Sequence, residues 1–298
     1  MTPARPAHRY AFAALILANL ALAAGPWMVR LADVGPVASA FWRLALAAPF
    51  LAFFALRQNR GQPLPAWSLI GAVALGGLFF AADLAAWHEG ILRTRLANAT
   101  LFGNMSSFLF VLYGFLVLRA LPGRLQGFAL GLAIVGAALL LGSSYELSPI
   151  HLTGDLLALV AAFFYALHLI MVDRARRTLA PWPVLAIATI AGALPLLLFA
   201  LARGEAVMPG DWTPLVLLSL GSQLIGQGLL VYAMGHLKPL VVGLGLLTQP
   251  VAAAAIGWLA YGERLSAVDG AGALLICAAL VLVRLPERRV ATAPAPAH

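Results

Sequence analysis

The chain has 298 residues, of which 62% are hydrophobic and only 10% charged, and its mean hydropathy is +0.94. A water-soluble fold cannot keep that much apolar surface out of water, so the composition excludes a soluble domain and predicts a multi-spanning membrane protein. The net charge of +8 therefore bears on membrane orientation and not on nucleic acid, and the single Cys277 excludes an intrachain disulfide.

Residues 1–9 form a short polar and basic segment. Apolar segments follow at about 10–31, 36–56, 67–88, 96–118, 125–143, 152–172, 182–202, 213–235, 239–260 and 267–285. Each is long enough to cross a hydrocarbon core of about 30 Å as a helix. The segments are continuously apolar and do not alternate, and a helix satisfies its own backbone, so helices are predicted over strands. Gly, Pro and polar residues punctuate them, as at Asp33-Val34-Gly35-Pro36, Arg60-Gly61-Gln62-Pro63, Leu121-Pro122-Gly123 and Pro209-Gly210-Asp211. The start imitates a secretory signal, with basic residues, an apolar run and Ala21-Leu22-Ala23. The run continues through Trp27 to Val29, however, and removing it would leave an odd number of segments. Residues 286–298 read as a cytoplasmic tail.

Orientation follows from Lys and Arg. With the N-terminus in the cytoplasm, 13 of the 19 basic residues fall in inside loops and tails. Arg30, Arg93, Arg95, Arg203 and Arg264 fall outside, and Arg43 lies within the membrane. Both termini are therefore expected in the cytoplasm. The chain also repeats itself: Leu96–Gly131 aligns without a gap on Leu237–Gly272, helix over helix and turn over turn. The halves are then residues 10–143 and 152–285, with five helices each. An odd number of spans inverts the second copy. Inverted repeats are an architecture of alternating-access carriers, with the site between the repeats near the midplane.

Few groups inside these segments are polar, and each is a candidate for function. Asp83 is expected about five residues from the outer end of the third segment, roughly 7–8 Å into the apolar zone. Arg43 lies at a similar depth, so an Arg43–Asp83 ion pair is possible. The pair either pins two helices together or faces a cavity and handles a proton or a charged substrate group. On the fourth segment Ala97, Thr100, Asn104, Ser107, Val111 and Gly114 share one helical face. Gly245, Thr248, Ala252 and Ala255 form the matching stripe on the ninth. Such stripes serve close helix packing or line a cavity. Asn104 favours the cavity, because a primary amide is larger than packing needs and must find partners.

Trp87 follows Asp83 by one helical turn, with His88 and Glu89 next. An interfacial aromatic belt also accounts for Trp87. Tyr165 and His168 lie mid-segment in the sixth, and Gln223 and Gln227 in the eighth. Singly each suits a helix–helix hydrogen bond; together, coming from both halves, they favour a wet cavity. No Gly-x-Ser-x-Gly, phosphate loop or His-Glu-x-x-His occurs, and His88, His151, His168 and His236 lack metal-ligand spacing. Neither an enzyme nor a cofactor is expected. No ring of repeated charges points to a channel.

Gln249-Pro250 and Gly262-Glu263-Arg264-Leu265-Ser266, followed by Gly270 and Gly272, resemble the closing motif of the drug/metabolite transporter superfamily, EamA type. Ser39-Ala40-Phe41-Trp42-Arg43 is similar to its second-helix arginine. Asp83-Leu84-Ala85-Ala86-Trp87-His88 with Thr94, Ala97, Asn98, Ala99 and Thr100 is similar to its third-to-fourth helix motif. Leu109 and Pro122 stand where the repeat would place Pro250 and Glu263, so the halves are unequal. The resemblance covers nearly the whole chain and implies export of small organic solutes. Within the family the chain most resembles exporters of amino acids, aromatic ones included. The small multidrug relatives use a first-helix glutamate, and residues 10–29 hold no acid.

The expectation is an all-α integral membrane protein of ten transmembrane helices in two inverted five-helix repeats, in a bacterial-type inner membrane. It would work as a monomer by alternating access and export neutral or aromatic amino acids. The path would be lined by Trp87, His88, Asn104, Ser107, Tyr165, His168 and Gln227. A drug or nucleotide-type metabolite exporter is the alternative, and a lipid flippase or membrane scaffold the reading from another class. Proton coupling through Asp83 is left open by residues alone.

Overall fold

The computed structural model describes residues 7–63, 65–94, 96–118, 122–142, 149, 151–261 and 266–283. Glu263, Arg264, most of the polar N-terminal segment and the C-terminal tail lie outside the described residues. Among the described residues the fold is entirely helical. Among these residues seven helical stretches are long and apolar enough to cross a membrane, and three shorter apolar helices accompany them. Large exposed side chains such as Leu56, Leu116, Phe128, Leu194 and Leu274 cover the outside. That surface is suited to lipid and not to water.

The first apolar stretch is α1 (Ala7–Ala23) and α2 (Gly25–Leu31), with a break at Ala24. Then come α3 (Pro36–Gln58) and α4 (Trp67–Arg93). The fourth stretch is divided at Asn104 into α5 (Leu96–Gly103) and α6 (Met105–Leu118). Next are α7 (Arg124–Gly142), α8 (Leu152–Ala175) and α9 (Pro181–Ala202). The eighth stretch is α10 (Thr213–Leu217), a π-helical segment π1 (Leu218–Gln227) and α11 (Gly228–Met234). The ninth is divided at Leu247 into α12 (Pro239–Leu246) and α13 (Thr248–Tyr261), and α14 (Ala267–Leu282) closes the described chain.

Local sequence explains the starts. Proline occupies the first turn of α2, α3, α9, α10 and α12, where its missing N–H has no intrahelical partner to lose. Ser266 and Asp269 form a reciprocal capping box on α14. One boundary differs from expectation. Helix α4 runs on to Arg93 instead of ending near residue 88, because Glu89 and Arg93 pair one turn apart, at 2.9 Å, along its surface. Asp83 thus lies ten residues, or about 15 Å, from the end of its helix, deeper than its distance from the apolar boundary suggests.

Helix α4 packs against α8 and α9, α3 against α9, α6 against α12, α7 against α14, and α1 against π1 and α11. Small residues permit the closest of these crossings. A Cβ on Gly77 of α4 would run into the Ala188 carbonyl of α9. One on Gly136 of α7 would stand 2.8 Å from the Gly272 carbonyl oxygen of α14.

One end of the bundle is tied by its connections. Glu205 accepts the Ala38 N–H at 2.9 Å beside the first turn of α3, where a carboxylate complements the helix dipole. Trp42 donates to the Val207 carbonyl at 2.7 Å, and Arg30 to that of Ile91 at 3.1 Å. Thr94 donates to Asp155 at 2.7 Å, and Arg203 pairs with both Glu89 and Glu205. Toward the other end a continuous apolar core closes the interior, including Leu15, Phe110, Tyr113, Leu169, Val172, Val231 and Val242.

Candidate functional site

Between the tied end and that core lies a cavity of about 90 Å³. Leu22 and Ala23 of α1 and Pro26 of α2 form one wall. Arg43 enters from α3, and Phe80, Asp83, Leu84 and Trp87 from α4. Thr100 and Gly103 of α5, Asn104 in the break, and Ser106 and Ser107 of α6 form the facing side. Ala162 and Tyr165 of α8, Gln227 of π1, Leu246 of α12, and Gln249 and Ala253 of α13 complete it. The volume holds a handful of waters or a small solute, and the lining carries the 2–4 polar partners a water needs.

The broken fourth and ninth stretches meet at this cavity, with the break of the first beside them. A break frees carbonyls that a continuous helix would satisfy, and in a membrane they need other donors. Asn104 Nδ2 donates to the Thr100 carbonyl at 2.6 Å, and the Ser106 hydroxyl to that of Gly103 at 2.8 Å. In the ninth stretch the Thr248 hydroxyl donates to the Gly245 carbonyl at 2.7 Å, and Asn19 Nδ2 reaches the same oxygen at 2.8 Å. Gln249 Nε2 then donates to Asn19 Oδ1 at 3.0 Å. Asn19 is fully buried, and sequence reasoning passed over it. The signal was present: an amide inside an apolar segment must find partners.

Arg43 is only 4% exposed. Its Nε donates to Gln223 Oε1 at 3.3 Å, and Gln223 Nε2 donates to the Thr189 hydroxyl at 2.9 Å. The guanidinium stands 5.6 Å from the Phe80 ring centre, a cation–π arrangement. Asp83 also lines the cavity, but the expected direct ion pair is not formed: no Arg43–Asp83 contact falls within 4.0 Å among the described residues. Gln223 and Phe80 hold the guanidinium where it is. The two charges still act on each other through the cavity.

Trp87, Asn104, Ser107, Tyr165 and Gln227 all line the cavity, and Gln227 Nε2 donates to the Tyr165 hydroxyl at 3.2 Å. The other two path candidates do not. His88 is turned between α3 and α4, where Nδ1–H donates to Ser39 Oγ at 2.7 Å and to the Pro36 carbonyl at 3.1 Å. His168 donates from Nδ1 to the Gly76 carbonyl at 2.9 Å, and its ring stacks on Phe80 at 4.6 Å. Both rings lie behind the wall, with Nε2 of each buried and without a partner among the described residues. The polar stripe of the fourth stretch is split by its break. Thr100, Asn104 and Ser107 face the cavity, while Val111 and Gly114 pack against Gly243 and Pro239.

The model of the EamA-like transporter family matches residues 9–142 and again residues 152–285. The chain belongs to the EamA-like transporter family. It is thus a multi-pass membrane transporter of small solutes, and the cavity draws its lining from both matched stretches of this EamA-like chain. A solved crystal structure, described only as that of a protein, superposes with a TM-score of 0.72 at 19% identity. The match covers 93% of this chain and 97% of the other, and is a likeness of fold alone. No curated protein matches.

Proposed function

We propose that this EamA-like protein exports neutral amino acids, aromatic ones included, across a bacterial-type inner membrane by alternating access. The reading takes the chain as a monomeric carrier of ten spans in two inverted five-helix repeats, residues 10–143 and 152–285, with both termini in the cytoplasm. The pattern of helix contacts supports the repeat. If each of the first five spans corresponds to the span five further on, α4 on α8 corresponds to α11 and π1 on α1. Likewise α4 on α9 corresponds to π1 on α3, and α3–α9, α6–α12 and α7–α14 each correspond to themselves.

The cavity carries the substrate reading. It combines amides (Asn104, Gln227, Gln249), hydroxyls (Thr100, Ser107, Tyr165), aromatic faces (Phe80, Trp87) and one group of each charge. A solute with a polar head and an apolar or aromatic side chain uses all of these. The cavity lies between the end tied by the connections and the continuous apolar core, and that core packs the opposite half shut. This is one end state of a carrier that rocks around a central site.

The test is flux in liposomes. Purified protein should move neutral and aromatic amino acids, and a proton gradient imposed in either direction will tell whether a proton travels with them. No movement across a broad amino-acid panel, with a drug or nucleotide-type solute moving instead, overturns the substrate. Headgroup-specific lipid scrambling without solute flux overturns the carrier.

A further inference from the structure

Two opposite charges line one buried cavity and do not touch. Asp83 is 8% exposed and makes no hydrogen bond or ion pair within 4.0 Å among the described residues, although its carboxylate lines the cavity. Among the described residues Arg43 hydrogen-bonds through Nε alone, to Gln223. Its two terminal nitrogens make no hydrogen bond among the described residues. Two buried charges in one low-dielectric space gain most by meeting, and holding them apart forfeits that compensation. Arg43 is nevertheless fixed in place, since Thr189 holds Gln223, Gln223 holds Nε, and the Phe80 ring lies beside the guanidinium.

We infer that Arg43 and Asp83 are the two poles of a zwitterion site, with the terminal nitrogens of Arg43 binding the substrate carboxylate and the Asp83 carboxylate binding its ammonium. The inference rests on the amino-acid reading above and assigns its specificity to two residues. A guanidinium whose Nε is engaged still presents its terminal fork, which matches a carboxylate in charge and geometry. An ammonium offers three donors to a carboxylate that receives none among the described residues. A substrate carrying both groups completes both contacts at once, with Trp87 and Tyr165 left to cover its side chain. A substrate with only one leaves the other buried charge unmet, and unmet buried polar groups are a strong basis for rejection.

The experiment uses full-length protein in liposomes, with labelled phenylalanine as the transported probe. Unlabelled phenylalanine, 2-phenylethylamine (no carboxylate) and 3-phenylpropanoate (no amine) compete with it. The wild type should prefer phenylalanine over either analogue by about tenfold or more. Detergent-solubilised variants that keep the wild-type elution profile are then ranked by ligand-induced thermal shift, which does not require turnover. In Arg43→Gln the advantage of phenylalanine over 2-phenylethylamine should vanish. In Asp83→Asn its advantage over 3-phenylpropanoate should vanish. Arg43→Lys, which keeps the charge, should retain carboxylate preference. Unchanged ranking in both neutral variants overturns the inference, and so does equal loss of all three ligands. Those results leave the amino-acid reading intact provided the wild type moves phenylalanine. A wild type that moves no amino acid sinks that reading itself.

Discussion

Tyr113 on α6 donates its hydroxyl proton to Asp173 on α8 at 3.0 Å, at the end of the bundle opposite the cavity. Asp173 is only 7% exposed and also pairs with Arg177 at 3.2 Å, so the bond closes the packed end with a charge-assisted contact. On the proposed cycle this contact must open for the cavity to reach the cytoplasm. Tyr113→Phe keeps the ring and removes the bond, worth about 1.5–3 kcal/mol for a charged acceptor. The cavity should then spend more time open to that end. In a Cys277→Ala background, a cysteine placed at Ser107 should be alkylated from the cytoplasmic side several-fold faster with Tyr113→Phe than without it. Equal rates would place the gate elsewhere.

The amides of Asn19 and Gln249 support the break of the ninth stretch together. Asn19→Ala strips the Gly245 carbonyl of one donor and leaves Gln249 Nε2 without the Asn19 oxygen. The expected cost is about 1–3 kcal/mol, the penalty for stranding buried polar groups. Gln249→Ala should cost less, because Asn19 keeps its bonds to the carbonyls of Leu15 and Gly245. The double variant should fall short of the sum, a coupling that thermal unfolding in detergent will measure as non-additive melting temperatures.

How much of this was legible depended on what decides each feature. The apolar segments reveal helices because length and composition alone decide whether a stretch can span a membrane. Trp87, Asn104, Ser107, Tyr165 and Gln227 line the cavity as expected of polar groups that lipid would reject, whereas Arg43 and Asp83, expected as a possible direct ion pair, line it without pairing. His88 and His168 carried the same signal and yet lie behind the wall. Sequence spacing fixes the relative face of a residue, but not which way that face turns against its neighbours. The helical breaks escaped notice because residues 96–118 and 239–260 are each long and apolar enough on average to read as one continuous helix, although Gly103-Asn104 and Thr248-Gln249-Pro250 stand at the breaks. The π-helical segment escaped for a similar reason. Gln223 and Gln227, four apart, suggest one shared task, but Gln223 serves Arg43 while Gln227 serves Tyr165 and the cavity.

Close packing of α4 on α9 gives a stability prediction with its own control. A Cβ on Gly77 meets the backbone carbonyl of Ala188, which cannot rotate away. Gly77→Ala should destabilise by about 1–3 kcal/mol through overpacking. Gly127 lies inside α7, with nothing within 4 Å of where its Cβ would stand. Gly127→Ala should be neutral or stabilising by up to about 1 kcal/mol, since alanine favours the helix. Matching losses in melting temperature for the two variants would mean that the α4–α9 contact is not the cause.

Outside the membrane, Asp211 lies ahead of α10 and accepts the Thr213 N–H at 2.8 Å. That backbone bond first, and a bond with the Thr213 side chain second, hold its carboxyl below the usual value of 3.8. A depressed carboxylate stabilises the fold fully above its unfolded pKa and loses that contribution as pH falls through the folded one. The melting-temperature difference between wild type and Asp211→Ala should therefore be constant from pH 7 to pH 5. It should shrink only as the pH drops below 3.8. A difference that changes around neutral pH would contradict this origin.

Tyr165 and His168 separate the cavity wall from what stands behind it. Tyr165 faces the cavity and accepts from Gln227, whereas His168, three residues along the same helix, is turned to the Gly76 carbonyl and the Phe80 ring. His168→Phe keeps an aromatic ring on Phe80 and loses one buried hydrogen bond, so stability should drop by about 1–3 kcal/mol. Because the ring does not line the cavity, the half-saturating concentration for phenylalanine should stay within about twofold of wild type. Tyr165→Ala opens the cavity and strands the Gln227 amide, so its half-saturating concentration should rise about tenfold or more. Liposome uptake over a range of phenylalanine concentrations measures both. If His168→Phe weakens substrate as much as Tyr165→Ala while folding normally, the imidazole takes part in the path and the wall must be redrawn to include it.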